Sequence, residues 1–310
     1  MSFRRPSTQA LAFLALLTMT AAWGSTFFMI KDLVTRIAVL DLLAVRFAIA
    51  ALALALVAGR QLRMSRPTLV RGIGLGALYG VAQILQTTGL AHTAASVSGF
   101  ITGLYVVATP LLGALILRSR IPALTWLAAG LATLGLGVLS LNGFSVGYGE
   151  LLTLLSAIIY AGHIVALGRL SEPGSALSLS VVQMATIAAI CGLAACWPTD
   201  GAGFGIQLPG SLEDWLTMVY LAVIAGAMTM VLQTWAQARV EPSRAAVIMA
   251  MEPVWAAGFA VALGGERITG RMIIGGLAIL AAMYLVEVAP QRRRRKTGEP
   301  AQADERKEYV

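Results

Sequence analysis

A chain of 310 residues that is 58% hydrophobic and only 12% charged has too little polar surface to cover a soluble core, since soluble chains are about 25% charged and about 45–50% apolar. The net charge of +8 invites a nucleic-acid reading, but the basic residues lie between apolar runs and in one tail, with no basic face of interleaved aromatics. The composition therefore points to a polytopic membrane protein whose solvent is the bilayer.

In chain order, Arg4 and Arg5 precede an apolar stretch that begins at Leu11 and runs through Trp23 to Ile30. It lacks a small-x-small cleavage site and is long enough to span, so it reads as the first transmembrane helix rather than a cleaved leader. Further apolar runs follow at Val39–Ala58, Val70–Leu90, Ala95–Leu117, Leu124–Leu141, Glu150–Leu167, Leu177–Trp197, Trp215–Ala236, Ala245–Leu263 and Met272–Val288. The expected fold is an all-α polytopic membrane protein of ten transmembrane helices. Continuous apolarity, rather than alternation over segments of about ten residues, sets a β-barrel aside. Cys191 and Cys196 fall within one of these runs at a spacing that puts them on different faces, so both read as buried, unpaired thiols. Residues 297–310 are polar and charged in the manner of a disordered end.

Lys and Arg collect on the cytoplasmic side of a membrane protein. With the N-terminus inside, inner connections and ends hold 18 of the 23 basic residues, among them Arg60, Arg63, Arg66, Arg71, Arg118, Arg120, Arg169 and seven in the tail from Gln291. Outer connections hold four: Lys31, Arg36, Arg267 and Arg271. Both termini are therefore expected in the cytoplasm, and the block Arg292 to Lys296 reads as a topology anchor.

Short matches recur at nearly one offset. Leu85-Gln86-Thr87 returns as Leu232-Gln233-Thr234, Gly130-Leu131-Ala132 as Gly276-Leu277-Ala278, and Pro110 as Pro253. Trp23-Gly24 corresponds to Tyr160-Ala161, and Arg46 to Gln183. Their collinear order implies a duplication, 11–145 and 146–288, flanked by cytoplasmic segments 1–10 and 289–310. Five helices per copy is an odd number of crossings, so the second copy starts on the opposite side and the repeats are inverted. Inverted repeats suit alternating access, although channels and intramembrane enzymes also contain repeats.

Trp23-Gly24-Ser25, the run Gly99-Phe100-Ile101-Thr102-Gly103-Leu104 leading to Pro110, and Glu252-Pro253-Val254 followed by Gly265-Glu266-Arg267 resemble the EamA repeats of the drug/metabolite transporter superfamily. Within it the chain is most similar to the YddG-type bacterial exporters of aromatic amino acids. The resemblance covers about residues 11 to 288 and implies a ten-helix basket around a central cavity, with efflux of small metabolites. One departure is visible: Arg118-Ser119-Arg120 stands where many members carry a turn like Gly265-Glu266.

Absences narrow the mechanism. The sequence has no phosphate-binding P-loop, so no ATP hydrolysis and no ATPase subunit are implied. Its two histidines, His92 and His163, lack Cys or carboxylate neighbours at ligand spacing, so no metal or other cofactor is expected. No nucleophile elbow appears, which weighs against hydrolase chemistry.

Polar and charged groups inside the spans are the default functional candidates, because each costs at least ~2.5 kcal/mol at bilayer depth. Arg46 lies about 10 Å inside helix two at ~1.5 Å per residue; it can meet a substrate carboxylate, snorkel outward or pair with Asp41. Glu252, read as mid-helix beside a kinking Pro253, is a candidate proton or ammonium site, or a structural bond to the broken backbone. Tyr79, Gln83 and Gln86 share one face of helix three. Phe100 and Tyr105 on helix four, Tyr160 and His163 on helix six, and Trp23 and Trp255 complete the expected lining, while Pro110 and Pro253 are the expected hinges or kinks. Rings there would stack on an aromatic substrate while Arg, Gln or His bind its head. Each aromatic taken alone is equally at home in packing, and Trp197 and Trp215 fit an interfacial belt. Gly72, Gly76 and Gly80 form a smooth stripe for close helix packing.

The expectation is a multi-pass protein of the bacterial inner membrane that exports aromatic or large apolar amino acids and related small metabolites by alternating access, functional as a monomer, with no nucleic-acid partner. A nucleotide-sugar carrier is the nearest rival, although phosphates call for several cavity cations. An intramembrane enzyme or a non-transporting scaffold are readings of another class.

Overall fold

A computed structural model describes residues 8–59, 62, 64–117, 123–142, 145–172, 174–196, 206–240, 245, 248–249 and 251–297. Nearly all of them are helical, because an apolar segment in hydrocarbon satisfies its peptide groups only within itself. In order these are α1 (Thr8–Leu33), α2 (Val39–Ala58), α3 (Arg66–Ala91), α4 (Ala95–Thr102), α5 (Tyr105–Leu117) and α6 (Ala123–Ser140), then α7 (Tyr148–Leu170) and α8 (Ala176–Ala195). After them come α9 (Leu212–Val219), a π-helical segment (Tyr220–Met228), α10 (Thr229–Gln237), α11 (Glu252–Ala262) and α12 (Gly270–Thr297). A minimal antiparallel ladder of β1 (Leu141–Asn142) and β2 (Ser145–Val146) joins α6 to α7.

Among the described residues, seven helical stretches are long and apolar enough to cross a membrane: Thr8–Leu33, Val39–Ala58, Arg66–Ala91, Ala95–Ile116, Tyr148–Leu170, Ala176–Ala195 and Leu212–Gln237. Two expected spans contain shorter apolar helices, Trp126–Val138 and Gly270–Leu285. The run expected at Ala245–Leu263 is not one described helix: Met251 lies in a turn and α11 starts at Glu252. Glu252 is therefore in the first turn, not mid-helix, and Pro253 occupies a position where its missing N–H leaves no intrahelical bond unmade. Pro110, by contrast, lies inside α5. Arg118, Arg120, Trp197, the residues before Thr8 and the tail beyond Thr297 fall outside the described residues.

Local signals set several ends. Ser65 caps α3, its hydroxyl accepting the Thr68 N–H at 3.2 Å with Pro67 in the first turn, and Ser211 caps α9 by accepting the Asp214 N–H at 3.1 Å. The Glu266 carboxylate reaches from the α11–α12 connection to accept the Ala95 N–H at 2.7 Å and the N–H and hydroxyl of Ser96. It thus caps α4 from a distant part of the chain, where a negative charge also meets the positive end of the helix. Lys31 donates to the carbonyls of Leu90 and Ala91 at 2.9 and 3.0 Å, closing the C-terminal end of α3.

The helices pack chiefly as α2 on α8, α3 on α7 and α8, α6 on α12, α1 on α11 and α10, and α4 on α11. Close approach depends on missing side chains. A Cβ on Gly24 would lie 2.4 Å from that of Trp255, and one on Gly76 would lie 2.9 Å from the Gln183 carbonyl. Large apolar side chains such as Leu56, Leu115, Trp126, Leu134, Leu193 and Leu277 face outward, whereas Arg46, Gln83, His163, Gln183, Gln233, Gln237 and Glu252 are buried. This polar-inside, apolar-outside order is that of a bundle solvated by lipid and built around a polar path. Cys191 and Cys196 are free, the first buried and the second exposed.

Candidate functional site: a polar central cavity

The buried polar groups converge on one cavity of about 30 Å³, which at about 10–15 Å³ per water has room for two waters or so. It is lined by Trp23, Thr26, Phe27 and Ile30 of α1, Arg46 of α2, and Tyr79, Gln83, Gln86, Thr87 and Leu90 of α3. The other walls are Thr102, Tyr105, Tyr160, His163, Ile164, Gln233, Met249 and Glu252. Nine expected site residues thus meet here, from Trp23 to Glu252.

Two expected residues lie elsewhere. Phe100 is buried with its ring against Gly276 of α12, filling the space a Cβ there would need. Trp255 is 37% exposed and stacks on Phe259 at 6.3 Å, one turn along α11. Both share a helix with a lining residue but point from a different face, which sequence spacing alone did not separate. Pro110 and Pro253 are not lining residues either.

Arg46 is 2% exposed, so it does not snorkel to water. Its Nε donates to the Leu221 carbonyl at 3.1 Å and its guanidinium carbon lies 5.1 Å from the Phe47 ring centre. Among the described residues no carboxylate stands within ion-pair distance of it; Asp41 instead accepts the Gln207 N–H at 3.1 Å. The Leu221 carbonyl belongs to the π-helical segment, whose altered register displaces backbone acceptors from their usual partners. The same segment serves Trp23, whose indole N–H lies 3.0 Å from the Ala225 carbonyl and 2.9 Å from Thr229 Oγ1.

Aromatic rings form one wall. Tyr79 sits 5.6 Å from Tyr160, 5.1 Å from His163 and 6.3 Å from Phe47, ring centre to ring centre. Hydrogen bonds lock that wall: Gln83 Nε2 donates to the Tyr79 hydroxyl at 3.0 Å. The Tyr160 hydroxyl donates to Gln86 Oε1 at 2.9 Å, while Gln86 Nε2 donates to Thr102 Oγ1 at 3.0 Å. Gln86 thereby ties α3 to α7 and α4.

Opposite them the Tyr105 hydroxyl lies 2.8 Å from the Met249 carbonyl and 3.1 Å from Glu252 Oε2. Met249 lies just before the start of α11, and the Tyr105 hydroxyl serves its carbonyl. One hydroxyl proton cannot serve two acceptors at full strength. A Glu252 carboxyl that carries its own proton can donate to Tyr105, which then donates to Met249; an ionised Glu252 competes with Met249 for the single donor.

Sequence reasoning missed Gln233 as a lining residue. The repeat offers the signal for it, since Leu85-Gln86-Thr87 recurs as Leu232-Gln233-Thr234 and both glutamines face the cavity. Thr26, Phe27, Ile30, Thr87, Leu90, Thr102, Ile164 and Met249 were also missed, and their apolar or small polar character carries no distinguishing mark within a span.

A helical bundle with a buried polar cavity defines a membrane protein that handles a small solute. The chain belongs to the EamA-like transporter family, whose description it matches twice, over residues 10–141 and 147–288. It is 28% identical over 277 residues to an uncharacterized transporter of Archaeoglobus fulgidus, covering 89% of this chain and 85% of that one. It is 27% identical over 282 residues to a Salmonella typhimurium protein named "Probable amino-acid metabolite efflux pump", covering 88% and 93%. A solved crystal structure superposes with a TM-score of 0.66 at 21% identity over 91% of this chain and 98% of the other, a likeness of fold.

Proposed function

We propose that the protein exports amino acids with aromatic or large apolar side chains, and related small metabolites, from the cytoplasm across a bacterial inner membrane. The observation that carries this reading is that Arg46, with no carboxylate within ion-pair distance among the described residues, and the buried carboxyl of Glu252 line one cavity with the Tyr79–Tyr160–His163 wall. A zwitterion complements that arrangement: its carboxylate meets the Arg46 fork, its ammonium meets Glu252, and its side chain lies against the rings. The name of the Salmonella relative, an amino-acid metabolite efflux pump, agrees in substrate class.

At about 30 Å³ the cavity is far below the about 300–1,000 Å³ of typical ligand pockets, so substrate entry requires the helices to part. Alternating access between two inverted five-helix halves, 11–145 and 146–288, supplies that motion, with Pro110 and Pro253 as hinges. Supporting an inverted repeat, the principal helix pairings map onto one another when the halves are exchanged. The pairs α2 with α8 and α6 with α12 are their own mates, α3 with α7 is the mate of α1 with α10, and α5 with α7 is the mate of α1 with α11. Transport operates as a monomer with both termini in the cytoplasm, and Glu252 is the site for a proton or for the substrate ammonium.

The test is saturable flux of radiolabelled amino acids into liposomes containing the pure protein. The nucleotide-sugar alternative is disfavoured by the single cationic lining residue, since phosphate recognition draws on several Lys or Arg. Flux of a nucleotide sugar without amino-acid flux would select that reading instead, and chemical conversion of a substrate would point to an enzyme.

A further inference from the structure

A second group of polar side chains extends from the cavity toward the end of the bundle where α7 and α10 finish and α8 begins, the end that the arginine distribution assigns to the cytoplasm. His163 and Gln233 line the cavity. Beyond them lie Gln183, Ser180, Thr234 and Gln237, all at most 1% exposed. Ser180 Oγ donates to Thr234 Oγ1 at 3.2 Å, which sets α8 against α10. Gln183 stands one turn of α8 from Ser180 on the cavity side, and Gln237 one turn of α10 from Thr234 on the other, so the polar groups form a column.

The column is left with unmatched hydrogen-bonding atoms. His163 Nε2 lies 2.9 Å from Gln183 Oε1; an amide oxygen only accepts, so the imidazole carries its proton on Nε2 and offers a bare lone pair at Nδ1. Nδ1 of His163, Oε1 of Gln233, Nε2 of Gln183 and both amide atoms of Gln237 have no partner among the described residues, though all are buried. Buried atoms left unmatched in this way are costly, so a bundle keeps several together only where something meets them. The orphans come in both kinds, amide N–H donors and oxygen or nitrogen acceptors, and none is charged.

We propose that His163, Gln183, Gln233 and Gln237 form a second, hydrated binding site for the zwitterionic head group of the substrate on its way into the central cavity. Gln237, nearest the open end of the column, meets the head group first, its amide N–H serving the carboxylate and its oxygen the ammonium; about two turns further in, Gln183 Nε2 serves the carboxylate while His163 Nδ1 and Gln233 Oε1 serve the ammonium. Without a fixed charge the site holds the head group weakly and passes it to Arg46 and Glu252. The assignment rests on the central cavity being the substrate site, but its first test needs no substrate, so the two ideas fail separately.

Starting from the full chain with Cys191 and Cys196 replaced by alanine, single cysteines are placed by Gln237→Cys and, as a dry control at the same end, Leu167→Cys, which is fully buried and apolar. A charged, membrane-impermeant methanethiosulfonate applied from that end should modify the first thiol roughly tenfold faster or more, because a dry buried thiol reacts only through local opening. Equal rates overturn the proposal. In a second measurement Gln237→Leu should cut the kcat/KM of amino-acid export about tenfold, the worth of one or two lost hydrogen bonds, while the thermal midpoint stays the same or rises because orphan amide atoms are gone. Wild-type export in Gln237→Leu, or lost export with a lowered midpoint that Gln237→Asn does not restore, contradicts the site.

Discussion

A guanidinium inside a bilayer bundle costs at least ~2.5 kcal/mol, and among the described residues Arg46 has one hydrogen bond, to the Leu221 carbonyl, and the nearby Phe47, Tyr79 and Tyr160 rings to offset that. A residue kept for its structural bonds would lose stability on replacement; one kept for a ligand would not. Arg46→Gln is therefore expected to lower amino-acid flux about 100-fold or more, the ~2.7 kcal/mol scale of a charge-assisted bidentate contact, with an unchanged or higher thermal midpoint. Arg46→Lys should rescue it poorly, because an ammonium lacks the planar fork. Both are read by flux in liposomes beside a thermal unfolding curve. Glu252→Gln keeps the shape and the contact with Tyr105 but cannot ionise. If Glu252 is the coupling site, this variant transports with no dependence on pH between 5 and 9; a pH profile that matches wild type removes that role. Most of this wall was legible in the sequence, since a polar side chain within an apolar span is conspicuous, and Tyr79, Gln83 and Gln86 at spacings of four and three share a face. Phe100 and Trp255 lie off the cavity for the complementary reason: an apolar ring fits a helix contact, as Phe100 does against Gly276, or an exposed face, as Trp255 does, equally well.

At the scale of single helices, the glycines decide how closely elements meet. The stripe expected on α3 does pack against α8, with Gly72 against Val182 and Gly76 against Gln183 and Thr186. Gly76→Val places a side chain where the Gln183 carbonyl and Thr186 stand, and should destabilise the protein by about 1–3 kcal/mol. Gly74→Ala, two residues away with nothing within 4 Å of the added Cβ, should be neutral or stabilising; thermal unfolding of the two variants in one detergent checks the contrast. Where helices break was less legible than where they run. The turn at Gly103 between α4 and α5, the π-helical segment at Tyr220–Met228 and the start of α11 at Glu252 all lie within continuous apolar runs, where the 3.6-residue period is masked because every face is apolar. Two of these irregular places also build the site, because cavity side chains engage their carbonyls: Leu221 for Arg46 and Ala225 for Trp23 in the π-helical segment, and Met249 for Tyr105 just before α11.

Across the whole molecule, the two ends are tied differently. At the end of the bundle where α1 finishes and α9 begins, Arg36 donates to Asp32 and, at 2.8 Å, to Asp214, which joins the end of α1 to the start of α9 and holds the guanidinium above its ordinary pKa. Arg36 itself is solvent-exposed while Asp214 is buried, so the pair anchors the two ends to each other more than it adds stability. Glu266 on α4 and Lys31 on α3 add further ties at that end. At the other end Arg71 pairs with Glu172 between the start of α3 and the α7–α8 connection. The alternating access proposed above would require such ties to form and break in turn around a cavity that binds in both states. Recognition of an amino-acid zwitterion by the cavity is read out by paired flux measurements in liposomes with the pure wild-type protein and Arg46→Gln. Saturable uptake of phenylalanine, tryptophan or leucine is predicted, weakened when the carboxylate is esterified or the amine acetylated, lost in Arg46→Gln, and absent for nucleotide sugars. Equal flux of phenylalanine and its methyl ester, or no saturable amino-acid flux at all, would contradict it.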